Sequence, residues 1–317
     1  MEKIDVSVVV PLYNEEDTFH MLVERLKNVQ TEFSGMLEFV LINDGSYDQT
    51  AELMESLALT DPHFKCIFLS KNHGHQVAVS AGMKYCEATE AIMIIDGDLQ
   101  DPPELLTEFY LKIQEGYDVV YGIRQKRKEN IFKRMLYRLY YKTITNIAEI
   151  DLPLDSGDFS MVSRRVLDYM NQMPEKSRYL RGMRSWVGFK QYGYMYERHA
   201  RAAGDSKYSL KMLFRLAYNG IFNFSEYPVK IITRLGMIIS ITSLVYLGYV
   251  IFRRIAYNDI PQGFTTLITA IVLFSGVQLL SLGIIGEYTL RIYNQVRQRP
   301  LFIVEKIIAN QKVAEHE

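Results

Sequence analysis

Residues 91–104 read AIMIIDGDLQDPPE, and the fold turns on how that stretch ends. Residues 92–95 are an apolar run that breaks into two carboxylates one residue apart, Asp96 and Asp98. A strand buried on both faces reads this way, and its carboxyl end is where open α/β sheets gather ligands. Gly97 between the acids permits a tight turn and keeps bulk away. Pro102 and Pro103 predict a helix start, with Asp101 placed to cap it. Two hard oxygen donors, Asp98 foremost and Asp96 beside it, suit Mg²⁺ or Mn²⁺ shared with substrate phosphates. A strand ending in a solvated acidic turn fits the same residues, so the surrounding chain has to decide.

Outward from that point, short β-branched runs alternate with helical patterns. Strands are predicted at 6–10, 38–42, 66–69, 92–95 and 119–121, and helices at 15–29, 50–59, 76–86 and 103–114. This alternation predicts an α/β fold whose mostly parallel sheet is covered on both faces. No Gly-x-Gly-x-x-Gly follows the first strand, which disfavours a dinucleotide fold. Across 317 residues, 36 basic side chains meet 37 acidic ones, so no global field points to nucleic acid. Cys66 and Cys86 match no metal or redox spacing and read as reduced core residues.

The carboxyl third differs. Residues 235–252 and 264–285 carry no charge, and each run is long enough to span a bilayer as a helix. Lys211, Arg215, Lys230 and Arg234 precede the pair, and Arg291, Arg297, Arg299 and Lys306 follow it. Arg253 and Arg254, partly offset by Asp259, lie between. The larger positive charge outside the hairpin predicts a multi-pass protein with both termini cytoplasmic. The opening MEKIDVSVVV has no signal-peptide pattern and agrees with a cytosolic start. Residues 129–150 and 207–229 are basic, amphipathic and rich in tyrosine, a composition suited to a membrane surface. Helices packed on the domain with their lysines in water fit that pattern too. The expected units are a core at 1–128, an acceptor region with interface helices at 129–230, a transmembrane hairpin at 231–290 and a cytosolic tail at 291–317.

Several motifs then coincide in order: VVPLYNEE at 9–16, INDGSYDQT at 42–50, KNHGHQVA at 71–78, IDGDLQDPPE at 95–104, DSGDF at 155–159, RYLRG at 178–182, GDSKYS at 204–209 and GEYTLRIYNQVRQRPLFIV at 286–304. On these the chain resembles glycosyltransferase family 2. More narrowly, it is similar to the bacterial polyisoprenyl-phosphate glycosyltransferases related to dolichyl-phosphate mannose synthase. The resemblance implies a GT-A type nucleotide-sugar-binding domain, followed by amphipathic interface helices and a two-helix transmembrane hairpin. It also implies that Pro11, Tyr13 and Glu15 line the base and ribose, that Asp44 contacts the donor nucleotide, and that Asp158 lies near the acceptor. Gly74 and Gln76 open a helix whose amino end suits an anion. Asp98 is expected on the metal and, together with Asp158, in catalysis, with Asp96 supporting Asp98 or touching the ribose.

A lipid phosphate needs fixed positive charge, and Arg178, Arg181, Arg201 and Lys207 sit in matching motifs, Lys207 first among them. Headgroup-facing cations would look the same. Two departures stand out: Ser160 and Met161 follow Phe159 where many relatives carry Arg-Leu, and His73 replaces a frequent aromatic. His73 and His75 are not read as metal ligands.

The activity implied is metal-dependent, inverting transfer of one hexose from a nucleotide sugar to undecaprenyl phosphate at the cytosolic face of the bacterial inner membrane. The hairpin is open to supporting a homo-oligomer. Two rivals are weighed. A processive polysaccharide synthase normally carries Gln-x-x-Arg-Trp, and Trp186 in RGMRSW lacks the glutamine. A non-catalytic sugar-nucleotide sensor has no need of paired acids at a leaving group.

Overall fold

The computed structural model describes residues 3–125, 156–197, 227–257 and 263–315. The expected interface helices at 129–150 and, for most of its length, 207–229 lie outside these residues, as do Arg201 and Lys207. The centre of the sheet is four parallel strands, β1 (Val6–Leu12), β2 (Leu37–Asn43), β3 (Phe64–Leu69) and β4 (Ala91–Ile94). Every residue of the four is buried, because helices cover both faces. Successive side chains point to opposite faces, so Val8 and Val10 join one core cluster and Val9 the other. One layer includes α1 (Glu16–Glu32) and α4 (Leu106–Gln114), and the other α3 (His75–Tyr85). Helix α2 (Thr50–Thr60) sits with α1.

The expectation of a mostly parallel sheet holds only at this centre. The sheet has nine strands in the order β7-β5-β6-β4-β1-β2-β3-β8-β9 and is mixed. Strand β6 (Ser156–Ser163) runs antiparallel between β4 and β5 (Val119–Gln125), and β7 (Gln191–Glu197) pairs parallel to β5. Helices α5 (Arg164–Gln172) and α6 (Leu180–Trp186) separate β6 from β7. At the other edge β8 (Val304–Ala309) runs antiparallel to β3 and turns into β9 (Lys312–Glu315). Residues expected in a tail therefore complete the sheet. Their apolar content, as in VEKIIA, is too broken by polar residues to read as a buried strand, and the same holds for SGDFSMVS of β6.

Asp101 does not cap the helix it precedes. A 3-10 turn at Pro103–Leu105 intervenes, with Pro102 at its cap position and no side-chain cap bond. Asp101 is instead buried and accepts the Tyr196 hydroxyl, because β7 carries that ring over it.

Beyond the sheet, α7 (Tyr227–Tyr257) and α8 (Phe264–Val296) contact each other. Large apolar side chains along both are exposed, among them Ile241, Val245, Leu267 and Leu279. Among the described residues, one stretch is long and apolar enough to cross a membrane, Leu273–Val296.

If the C-terminal strand is part of the core, Ile308→Ala removes a fully buried side chain and should cost about 2–5 kcal/mol. The half-exposed Val313 gives a control whose alanine variant should stay within about 0.5 kcal/mol. Thermal unfolding of the full chain measures both.

Candidate active site

Strands β1, β2 and β4 are neighbours in register, so Leu12, Asn43 and Ile94 finish at one edge. Every acid singled out in the first half of the sequence leaves from that edge. Asp44 follows β2 directly and is buried. Its two oxygens accept from the loop after β3, the His73 amide at 2.7 Å and the Gly74 amide at 2.9 Å. Burial pushes the Asp44 carboxyl above its ordinary range, and those two amides pull against the shift. Gly45 has φ +68°, and a Cβ there would stand 2.5 Å from the Asn72 amide nitrogen, so only glycine lets the loops meet. Pro11 lies in β1 against Ile42, and the Tyr13 ring meets Tyr47 edge-on at 5.9 Å. The Glu15 carboxylate accepts the Thr18 hydroxyl at 3.1 Å.

Past β4 the chain turns tightly. A Cβ on Gly97 would be 2.4 Å from Leu12 Cδ2, so glycine is what lets the acidic turn lie against the end of β1. Asp98 Oδ1 accepts from the Gln100 amide at 3.2 Å. Leu99, buried, sits at φ +60°, a conformation that bulky residues adopt only when their surroundings impose it. Arg25 of α1 supplies that constraint. Its Nη1 donates to the Leu99 carbonyl at 3.2 Å while Nε and Nη2 grip the Glu104 carboxylate at 2.7 and 2.5 Å. No sequence signal links Arg25 to the acidic turn, since the contact exists only once α1 packs beside it.

Asp96 and Asp158 face one another across His75. The His75 Nε2 lies 3.4 Å from Asp96 Oδ1 and 3.7 Å from Asp158 Oδ2. Asp96 Oδ1 is shut off from solvent and makes no hydrogen bond. Burial pushes the Asp96 carboxyl up to about 6; His75 opposes this, and Asp101, Asp158 and Asp98 add to it. Asp158, delivered by β6, is the opposite case. Burial favours its neutral form, but Arg181 Nε at 2.9 Å and Nη2 at 3.3 Å hold the carboxyl well below the usual range. Gln76 Nε2 donates to Asp158 Oδ2 at 2.9 Å, and Gln76 Oε1 accepts the Leu180 amide at 2.9 Å. The structure thus places Gln76 on Asp158 rather than leaving it open at a helix end. Arg178 hydrogen-bonds the Met170 carbonyl at 3.3 Å.

Sequence reasoning missed Arg184, a buried arginine stacked 5.3 Å from the Tyr121 ring and close to the Gly157 carbonyl, at 3.4 Å. Burial pulls its pKa down to about 10, with Asp158 opposing. A surface cavity of about 530 Å³ is lined by Arg25, Glu104, Tyr194 and Tyr196 among others and includes none of the expected site residues. The buried acids and the unbonded Asp96 Oδ1 point to the open strand edge instead.

The glycosyl transferase family 2 model matches residues 7–170, and a second model, the GtrB C-terminal hairpin, matches 227–292. The chain belongs to glycosyltransferase family 2. This glycosyltransferase is 43% identical over 304 residues to an uncharacterized glycosyltransferase of Bacillus subtilis (strain 168), covering 96% of this chain and 94% of that one. The bactoprenol glucosyl transferase of Shigella phage SfII is 33% identical, over 95% and 97% of the two chains. The prophage bactoprenol glucosyl transferase homolog of Escherichia coli (strain K12) is 32% identical, over 95% and 99%. The mixed sheet is therefore the GT-A-like α/β fold of a glycosyltransferase, and the acids at its edge are the family member's own.

Among the described residues no cluster of three or more histidine, cysteine or acidic side chains is gathered for a metal. The pair Asp96 and Asp98 remains, and an oxygen pair of that kind suits an ion completed by substrate phosphates.

His75 generates a pH prediction. Burial works against its charge, but the Asp158 and Asp96 carboxylates win and raise its pKa from 6.5 to about 9. Its contribution to stability is fully present below about pH 6.5 and is lost as pH rises through about 9. In chelator, the melting temperature of His75→Gln should therefore lie furthest below wild type at pH 6 and converge on it by pH 10. A gap that does not change with pH contradicts the ion cluster.

Proposed function

We propose that the protein transfers one hexose, from UDP-glucose or UDP-GlcNAc, to undecaprenyl phosphate at the cytosolic face of the bacterial inner membrane. The observation that carries this reading is Asp96 Oδ1, a buried oxygen with no hydrogen bond, one residue from Asp98 at the strand edge. A divalent Mg²⁺ or Mn²⁺ ion on those two carboxylates fits the donor set, and when bound it would neutralise charge on the departing diphosphate. The names of the relatives from Shigella phage SfII and Escherichia coli supply the acceptor class and favour glucose.

The chain's own residues divide the remaining work. Pro11, Tyr13, Glu15 and Asp44 would surround the nucleoside, with Asp44 fixed by two amides that leave each of its oxygens a second lone pair for a donor on the ligand. Asp158 is held ionised by Arg181 and is a poor proton acceptor. A polyprenyl phosphate needs no such base, because its second pKa is about 6 and the dianion is already nucleophilic. Asp158 then orients Arg181, Gln76 and His75 around the acceptor. Direct attack of the phosphate oxygen on the anomeric carbon breaks the bond to the diphosphate and inverts configuration once.

The hairpin at 227–292 and the exposed apolar side chains of α7 and α8 support a membrane anchor. Arg181, Arg178, Arg201 and Lys207 are the cations proposed for the acceptor phosphate, and among the described residues Arg181 pairs with Asp158.

Purified protein with undecaprenyl phosphate, Mn²⁺ and a panel of radiolabelled nucleotide sugars should yield a lipid-linked monosaccharide from one donor. No product with any donor overturns the proposal. Asp98→Asn should lower turnover about a hundredfold or more. Arg25→Ala, which frees the strained Leu99 turn, should raise the half-saturating Mn²⁺ concentration roughly 10- to 100-fold, as loss of a ligand's supporting contact does. Titration of turnover against Mn²⁺ reads that shift.

A further inference from the structure

Helix α8 ends at Val296, and its last turn meets the catalytic domain. There Gln295 makes two hydrogen bonds of opposite sense. Its side-chain nitrogen donates to the Pro174 carbonyl at 2.5 Å, and its side-chain oxygen accepts the Lys176 amide at 3.2 Å. A carboxylate lacks the donor and an ammonium lacks the acceptor, so a side-chain amide is what this pairing requires. Lys176 Nζ adds a third bond, to the Arg299 carbonyl at 2.7 Å.

Pro174 and Lys176 belong to the segment between α5 and α6. That segment leads directly to Leu180, whose amide donates to Gln76, and to Arg181, which grips Asp158. Gln76 in turn donates to Asp158. A short run of backbone thus connects the end of α8 to two partners of the acceptor-site carboxylate, Gln76 and Arg181. The same helix end is tied on the donor side as well. Residue Ile303 accepts the Ser70 amide at 3.0 Å, and Ser70 leads into the loop whose His73 and Gly74 amides hold Asp44.

We infer that Gln295 is a positioning residue for transfer: it fixes the 173–179 segment on α8 and so sets Arg181 and Asp158 at the height where a lipid phosphate arrives. This rests on the reading of α8 as a membrane helix and of polyprenyl phosphate as the acceptor. The residue touches no substrate and acts through Leu180 and Arg181.

The test uses the full chain in nanodiscs, with undecaprenyl phosphate and a short, water-soluble polyprenyl phosphate as alternative acceptors. Gln295→Ala should raise the acceptor KM about tenfold for both, the effect of one net hydrogen bond. Donor KM should stay within about twofold, because the Asp44 side is held by β8. Gln295→Glu keeps the size but loses the donor, and should fail to rescue. Lys176→Ala, which removes only the exposed third bond, should give the same pattern at smaller size and covers the case in which the Gln295 variants do not fold. An unchanged acceptor KM in folded variants overturns the inference, as does an equal rise in donor KM accompanied by a lower melting temperature. A rise confined to the long-chain acceptor also overturns it, since the bonds would then set membrane seating and not Asp158. Wild-type protein that transfers to neither acceptor overturns the assigned function instead.

Discussion

A charge is tolerated inside a sheet covered on both faces only when it is paired, as Glu38 of β2 is by Lys65 of β3 at 3.2 Å, and this constraint organises the molecule. The four central strands are buried along their whole length. An ionised carboxylate among them without such partners would lose its hydration uncompensated. Asp44, Asp96 and Asp98 therefore appear only where strands end, and parallel neighbours place those ends on one edge. Antiparallel β6 enters the same sheet beside β4, so its amino-terminal end, carrying Asp158, meets them there.

Gathering acids at one edge creates repulsion that the fold answers with a small number of cations. Arg181 keeps Asp158 ionised, while His75 bridges toward Asp96 without fully offsetting its burial. The two carboxyls are driven in opposite directions by these surroundings. One is a permanent charge that holds its neighbours in place. The other retains an oxygen with no hydrogen bond and is suited to a cation arriving with the donor. Groups pushed apart in this way are characteristic of functional sites.

The strained turn after Asp98 and the fastening of α8 show a second theme, support from afar. Leu99 at φ +60° persists because Arg25 bonds its carbonyl from another helix. The 173–179 segment is held by Gln295 on the apolar helix and by Gln76 at its far end. In both places a loop beside the candidate site is stiffened by an element packed against it from elsewhere in the chain.

Local pattern carried much of this in the sequence. The largely apolar runs at 6–10, 38–42, 66–69 and 92–95 announced buried parallel strands, since a strand shielded on both faces is mostly apolar. The acids closing two of them were legible for the same reason. Invisible were the partners supplied by distant chain: β6 and β8, whose polar interruptions hide them, and Arg25, Arg184 and Gln295, whose roles arise from helix packing. Asp101 shows the limit in one residue, since its neighbours suggest a helix cap, yet β7 brings Tyr196 to it. Sequence determined which residues could sit at the edge of the sheet, because burial and turn chemistry act over a few neighbours. Tertiary structure alone decided which carboxylate stays charged, because that depends on which cation the fold brings within about 3 Å of it.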